Sequence, residues 1–181
     1  MMKGHSMLRF SIISNLRILC AYGLMATSAI WAAEVKVEGV HLCCGKCVKA
    51  ATGALTGVAG VSAVNVSQDD ETVTFQTTDE AATKRGLASL AKAGFYGETS
   101  ASSPDFKIAA SKTGNEIHIS HLHLCCGGCV KTAEGAAKSV SGVQSVSTQP
   151  KQGTMTVHGD KVNYAAMLKA FHEAGMHGTL K

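Results

Sequence analysis

The sequence is poor in aromatic side chains, at 5% of residues, has only two prolines, and carries no acid before Glu34. Each shortage excludes something. Few rings means little surface on which the bases of a single-stranded nucleic acid could stack. The missing acids make the whole-chain charge misleading. Of the formal net charge of +4, Lys3, Arg9 and Arg17 supply three; residues 34–181 hold 14 basic against 13 acidic side chains, a net of +1. No basic stripe is left, so nucleic acid is not an expected partner. There is no carboxylate dyad, no Ser/His/Asp set and no phosphate-cradling glycine loop, which leaves hydrolytic and phosphoryl-transfer chemistry without residues to carry it.

The N-terminal stretch has the order of a secretory signal peptide: basic residues, an apolar run from Ile18 to Trp31, then the small residues Ala32 and Ala33. The run is interrupted by Gly23, Thr27 and Ser28 and is shorter than the ~20 residues a membrane-spanning helix needs. Residues 1–33 are therefore expected to be a leader cleaved near Ala32 or Ala33. The remainder would then be exported to the periplasm or the extracellular space; an uncleaved anchor is the alternative. Cys20 follows Leu19, where a lipoprotein signal would have a small residue, and leaves with the leader.

Six of the seven cysteines remain, all within two short stretches, HLCCGKCVK at 41–49 and HLCCGGCVK at 123–131. An even number of cysteines in an oxidising compartment ordinarily suggests a disulfide framework. Here each group of three lies within five residues and has nothing distant to staple, so the clusters read as sites. About half the residues from Glu34 to Val66 recur identically from Glu116 to Thr148. A repeat of that length implies two copies of one domain.

Each copy opens with the alternation of a half-buried strand, Val35 and Val37 in the first and Ile117 and Ile119 in the second. After the cysteines, Val48, Ala51, Leu55 and Val58 share a helical face, repeated as Val130, Ala133, Ala137 and Val140, with Gly60 and Gly142 as expected stops. Two strands around a polar turn follow. A second helix is clearest in copy two, where Tyr164, Met167, Leu168, Phe171 and Ala174 recur behind an Asn163 cap. It ends at Gly94 or Gly175, before a short strand, FYGET or MHGTL. The fold class expected is α+β, two tandem βαββαβ units of the ferredoxin-like order, at residues 34–99 and 116–181. Each has about 66 residues, near the size at which a core alone is marginal, and two small cores are expected. The Ser-, Ala- and Gly-containing stretch 100–115 reads as a flexible linker.

A βαββαβ order with CxxC where the first strand turns into the first helix resembles the heavy-metal-associated domain. That family includes copper chaperones, the N-terminal domains of metal-pumping ATPases and periplasmic mercury-binding proteins. The resemblance spans nearly all of residues 34–181 in two divergent copies. It implies that Cys44 and Cys47, and Cys126 and Cys129, are the metal thiolates, and that a metal-transporting membrane protein or another thiol-bearing metal carrier is a partner. Where the family usually has GMTCxxC, this chain reads GVHLCCGKC and HLHLCCGGC, adding Cys43 and His41, and Cys125 and His123.

A thiolate is the ligand form of cysteine, and a helix N-terminus lowers a thiol's pKa through its unpaired N–H groups and dipole. Two thiolates three residues apart can hold a linear soft ion such as Cu(I) or Hg(II), and a third permits trigonal binding. With His41 or His123 the set becomes three sulfurs and one nitrogen, a closed shell for Zn(II). Cys43 and Cys125 can instead pack, His41 and His123 can cap a carbonyl, and the CxxC pairs can close as local disulfides. His118 and His121 are expected to be solvent-exposed. In the family the loop before the last strand lies near the metal, drawing attention to Phe95, Tyr96, Met176 and His177, with packing the expectation for Met176. The function expected is that of an exported, non-enzymatic metal chaperone, scavenger or transport accessory. The alternative is a thiol-disulfide oxidoreductase using CGKC and CGGC, although neither Pro104 nor Pro150 sits where a substrate-gripping cis-proline would.

Overall fold

The computed structural model describes residues 33–181, apart from positions 103 and 107. Residues 1–32, on which all but the last residue of the expected leader and Cys20 fall, lie outside the described residues. In copy one, β1 (Ala33–Val37), α1 (Gly45–Leu55), β2 (Val61–Ser67), β3 (Thr72–Thr77) and α2 (Glu80–Lys92) follow in order. In copy two, β4 (Thr113–Ser120), α3 (Gly127–Lys138), β5 (Val143–Gln149), β6 (Thr154–Asn163), α4 (Tyr164–Glu173) and β7 (Thr179–Leu180) repeat the pattern. These are the two ferredoxin-like α+β units read from the sequence.

Both sheets are antiparallel, in the order β1-β3-β2 and β5-β6-β4-β7. The alternation sets their registers: Val35 faces Phe75 and Val37 faces Val73, as Ile117 faces Val157 and Ile119 faces Met155, all buried. The fourth strand of copy one is reduced to a single bridge between Glu38 and Glu98. α2 and α4 are capped alike, the Asp79 carboxylate accepting from the Ala82 amide and the Asn163 side chain from that of Ala166. The first helix of each copy stops earlier than its glycine. α1 ends at Leu55 and α3 at Lys138, while Gly60 and Gly142, at φ of 80° and 88°, serve the turns into β2 and β5.

The expected pair of small cores is instead one continuous body of buried side chains running through both units. The apolar ends nearest the cysteines, with Val40, Leu42 and Phe95 from one copy and Leu122, Leu124 and Met176 from the other, all belong to it. Two marginal cores gain by covering each other's open ends. Phe95 and Met176 form a β-bridge across the copies. The His177 amide donates to the Gly94 carbonyl at 3.0 Å, and the amides of His41 and Tyr96 donate to the Gly175 carbonyl at 3.1 and 3.2 Å. Gly94 and Gly175 occupy corresponding positions after α2 and α4, both with positive φ. A Cβ on Gly94 would collide with the backbone at His121 and His123, and one on Gly175 with that at Gly39 and His41. Glycine at these two points lets each copy's pre-cysteine loop lie against the other copy.

The connection between the copies is tied down at several points. Phe106 packs its ring 4.3 Å from His177 and 5.6 Å from His172. The Ala110 carbonyl accepts from the Asn163 side chain and the Lys112 carbonyl from the Tyr164 amide. β4 begins at Thr113, three residues before Glu116, because residues 113 and 114 pair with the far end of β6.

Candidate metal centre

Cys44 and Cys126 occupy the N-cap positions of α1 and α3, in extended backbone conformation. Each is followed by a glycine, and neither side chain accepts a conventional capping bond by geometry alone. The first-turn amides nonetheless act on the sulfurs. The Cys47 and Lys46 amides hold the Cys44 thiol below its ordinary value, and the Cys129 amide, with the Cys43 thiol second, brings Cys126 down to about 6. The second thiol of each CxxC, Cys47 or Cys129, is one turn in and fully buried.

The apposition of the two copies brings all six sulfurs together. Within the copies, Cys44 lies 3.8 Å from Cys47 and Cys126 lies 3.7 Å from Cys129. Across them, Cys43 stands 3.3 Å from Cys126 and 3.4 Å from Cys129, Cys125 stands 3.6 Å from Cys47 and 3.8 Å from Cys44, and Cys47 stands 3.8 Å from Cys129. All six are free thiols. So close a group cannot ionise together. Withdrawal from water pushes Cys43 and Cys125 up to about 12, with thiol hydrogen bonds adding to it, and it raises Cys129 as well. Cys43 is exposed as a residue, and its sulfur touches those of Cys126 and Cys129.

The histidines complete the set. The donor atoms of Cys47, His123, Cys125 and Cys129 all lie within 4.8 Å of one another, as do those of His41, Cys43 and Cys129. His41 Nε2 and His123 Nε2 are buried and have no hydrogen-bond partner. An unpartnered buried nitrogen is costly, and burial lowers the pKa of both imidazoles, so that they stand neutral with a lone pair to offer. Phe95 of copy one lies over the His123 ring, at 4.6 Å between centroids. The donor set, soft sulfur with imidazole, fits a soft or borderline cation and has little affinity for a hard one.

All eight residues singled out in the sequence therefore converge on one site. His118 stays on the exposed face of β4, paired with Glu116, and the exposed His121 bonds Ser120. Met176 is buried in the core. Tyr96 and His177, to which the sequence draws attention, join His172, which it does not, in an aromatic and imidazole stack. Tyr96 lies flat on His172 at 3.6 Å, His172 Nε2 bonds His177 Nδ1 at 3.0 Å, and burial holds both imidazoles down to about 4. His172 has no counterpart in copy one, so the repeat gave no signal for it. The roles of Gly94 and Gly175 were also missed, since in the sequence each reads only as a helix end.

Residues 34–95 and 122–177 each match the heavy-metal-associated domain, together well over half of the chain. No curated protein matches it. Among solved structures, a chain described under crosstalk between Cu(I) and Zn(II) homeostasis is similar at 22% identity and TM-score 0.35, covering 38% of this chain and 100% of its own. The apo heavy-metal-associated domain of a copper chaperone for superoxide dismutase aligns at 21% identity and TM-score 0.33, covering 44% and 85%. The N-terminal soluble domains of Bacillus subtilis CopA align at 18% identity and TM-score 0.31, covering 83% and 94%. The family match carries the assignment, and the structural likenesses add no further argument. Domains of this family are generally metal-binding, non-catalytic modules, and a heavy-metal-binding role follows for this chain. With HLCCGKC and HLCCGGC at corresponding helix starts of two βαββαβ units, the protein belongs to the heavy-metal-associated domain family.

Proposed function

We propose that the protein is an exported, non-enzymatic carrier or scavenger of a soft or borderline metal ion, held by the cysteine thiolates of both copies with His41 and His123 as supporting ligands. The single observation that carries this reading is the convergence of six free thiols and two unpartnered imidazole nitrogens on one site. Sulfur spacing bears on the ion. Metal–sulfur bonds of about 2.3 Å place two sulfurs roughly 4.6 Å apart in a linear site and about 3.8 Å apart in a tetrahedral one. The CxxC pairs stand at 3.7 and 3.8 Å, close to the tetrahedral spacing, and the further thiols and imidazoles offer Cu(I) or Zn(II) three or four donors.

Ligand exchange would move the ion. The thiolate of Cys126, ionised near neutral pH, offers the first contact, and the remaining thiols release their protons to water as the cation takes hold. Delivery runs in reverse, an incoming thiolate of a metal-transporting membrane protein or another carrier displacing the chain's own sulfurs one at a time. Export rests on residues 1–33, whose basic, apolar and small-residue order matches a secretory leader.

Anaerobic reconstitution of the reduced chain, with Cu(I), Zn(II) and Hg(II) competed against one another and against chelators, tests the reading. Tight binding of Cu(I) or Zn(II) that is lost on alkylating the thiols is expected. Failure to retain any of the three ions would overturn it.

A further inference from the structure

We infer that the two cysteine clusters form one polynuclear centre, in which a single chain holds two ions bridged by the Cys129 thiolate. The inference rests on the metal-binding reading above and specifies the form that binding takes.

Donor arithmetic leads to it. Zn(II) and similar ions close their shell with four donors, and Cu(I) with fewer. This site presents six sulfurs and two imidazole nitrogens. The donor atoms of Cys47, His123, Cys125 and Cys129, all within 4.8 Å of one another, make a complete four-donor set drawn from both copies. The atoms of His41, Cys43 and Cys129 make a second set of the same closeness. The Cys126 sulfur lies beside this second set, 3.3 Å from Cys43 and 3.7 Å from Cys129. Cys129 belongs to both sets, and it is fully buried between them. One ion in the first set would leave the His41 imidazole without a metal, and one in the second would leave the His123 imidazole so. Both imidazoles carry a buried, unpartnered Nε2, and only occupation of both sets engages both rings.

A thiolate has lone pairs enough to bind two soft ions at once. Each ligating thiol gives up its proton to water, and no electron is transferred. The arrangement depends on Cys43, Cys125, His41 and His123, the residues that lie outside the CxxC pairs. It also depends on the cross-copy contacts at Gly94 and Gly175 that bring the two loops together.

Cadmium(II), a soft divalent ion that takes the same sulfur and imidazole tetrahedra, is the probe. The reduced full chain is loaded anaerobically with a spin-active cadmium isotope, then examined by native mass spectrometry and cadmium NMR. Two ions per chain are expected, with two cadmium resonances that share a scalar coupling through the common sulfur. In Cys129→Ser the coupling disappears and at least one ion is lost, with circular dichroism verifying that the variant is folded. The coupling in the unaltered chain decides the matter if that variant fails to fold. One ion per chain, or two resonances without mutual coupling, would overturn the bridged centre while leaving metal binding intact. No retained cadmium at all would overturn both.

Discussion

The amide of His41 in copy one donates to the carbonyl of Gly175 in copy two at 3.1 Å. Gly175 can approach so closely because it has no Cβ and because its φ of 71° is open to glycine. Gly175→Ala meets both the strain of a left-handed backbone and a collision with the Gly39 carbonyl. We expect it to lower unfolding stability by about 1–3 kcal/mol, measured by urea denaturation of the metal-free chain. Gly94→Ala, at the corresponding point against His123, should act alike. Ala at Gly53, where a Cβ meets nothing within 4 Å, should not.

The additional ligands should be felt unequally by the two favoured ions. If His41 and Cys43 ligate, Zn(II) loses part of a closed shell in His41→Ala or Cys43→Ser, while Cu(I) tolerates fewer donors. Zn(II) affinity should fall at least about tenfold, about 1.4 kcal/mol, and Cu(I) affinity much less, by chelator competition. Equal small losses would mean that the two side chains only pack.

Oxidation should link the copies before it closes either CxxC. The Cys126 thiol, brought down to about 6, is the most ionised sulfur of known shift, and its nearest neighbour is Cys43 at 3.3 Å. A thiolate is the attacking form in disulfide formation. Limited treatment of the metal-free chain with diamide, which takes up the two hydrogens, should give a Cys43–Cys126 crosslink by peptide mapping. Prior loading with Zn(II) should suppress it. A dominant Cys126–Cys129 product would contradict the cross-copy geometry.

Acid should destabilise the metal-free protein through its buried imidazoles. Burial depresses the folded pKa of His41 and His123, and brings His172 and His177 down to about 4 from an ordinary 6.5. The unfolded chain therefore takes up protons at a pH where the folded one does not. Stability is fully present above 6.5 and is lost as pH falls toward 4. Thermal midpoints followed across that window should fall, and His172→Gln should flatten the dependence. An unchanged midpoint would mean that these rings are exposed to water in solution.

Much of each unit could be read in advance because its signals are local. The alternation at Val35 and Val37, or Ile117 and Ile119, needs only the next strand to bury against. Asn163 caps α4 through a contact three residues away. The cysteines and histidines were visible because a duplicated cluster is conspicuous. The sequence allows the two tethered clusters to bind two ions or to clasp one between them, and it does not decide, because no spacing within either copy encodes the meeting of Gly175 with His41 or of Phe95 with His123. Both depend on apolar loop ends that look like ordinary core until the other copy covers them. The helix stops were misplaced because Gly60 and Gly142 shape the following turn, while the helices had already ended.

Whether a soft or borderline ion is held by sulfur and imidazole donors from both copies is decided by X-ray absorption at the zinc edge of the reduced, zinc-loaded full chain. A first shell of sulfurs at about 2.3 Å is expected, with imidazole scattering at about 2.0–2.1 Å, in the proportion offered by Cys47, Cys125, Cys129 and His123. The imidazole contribution should be lost in a chain carrying both His41→Ala and His123→Ala. A shell of oxygen donors, or a sulfur shell indifferent to both histidines, would contradict it.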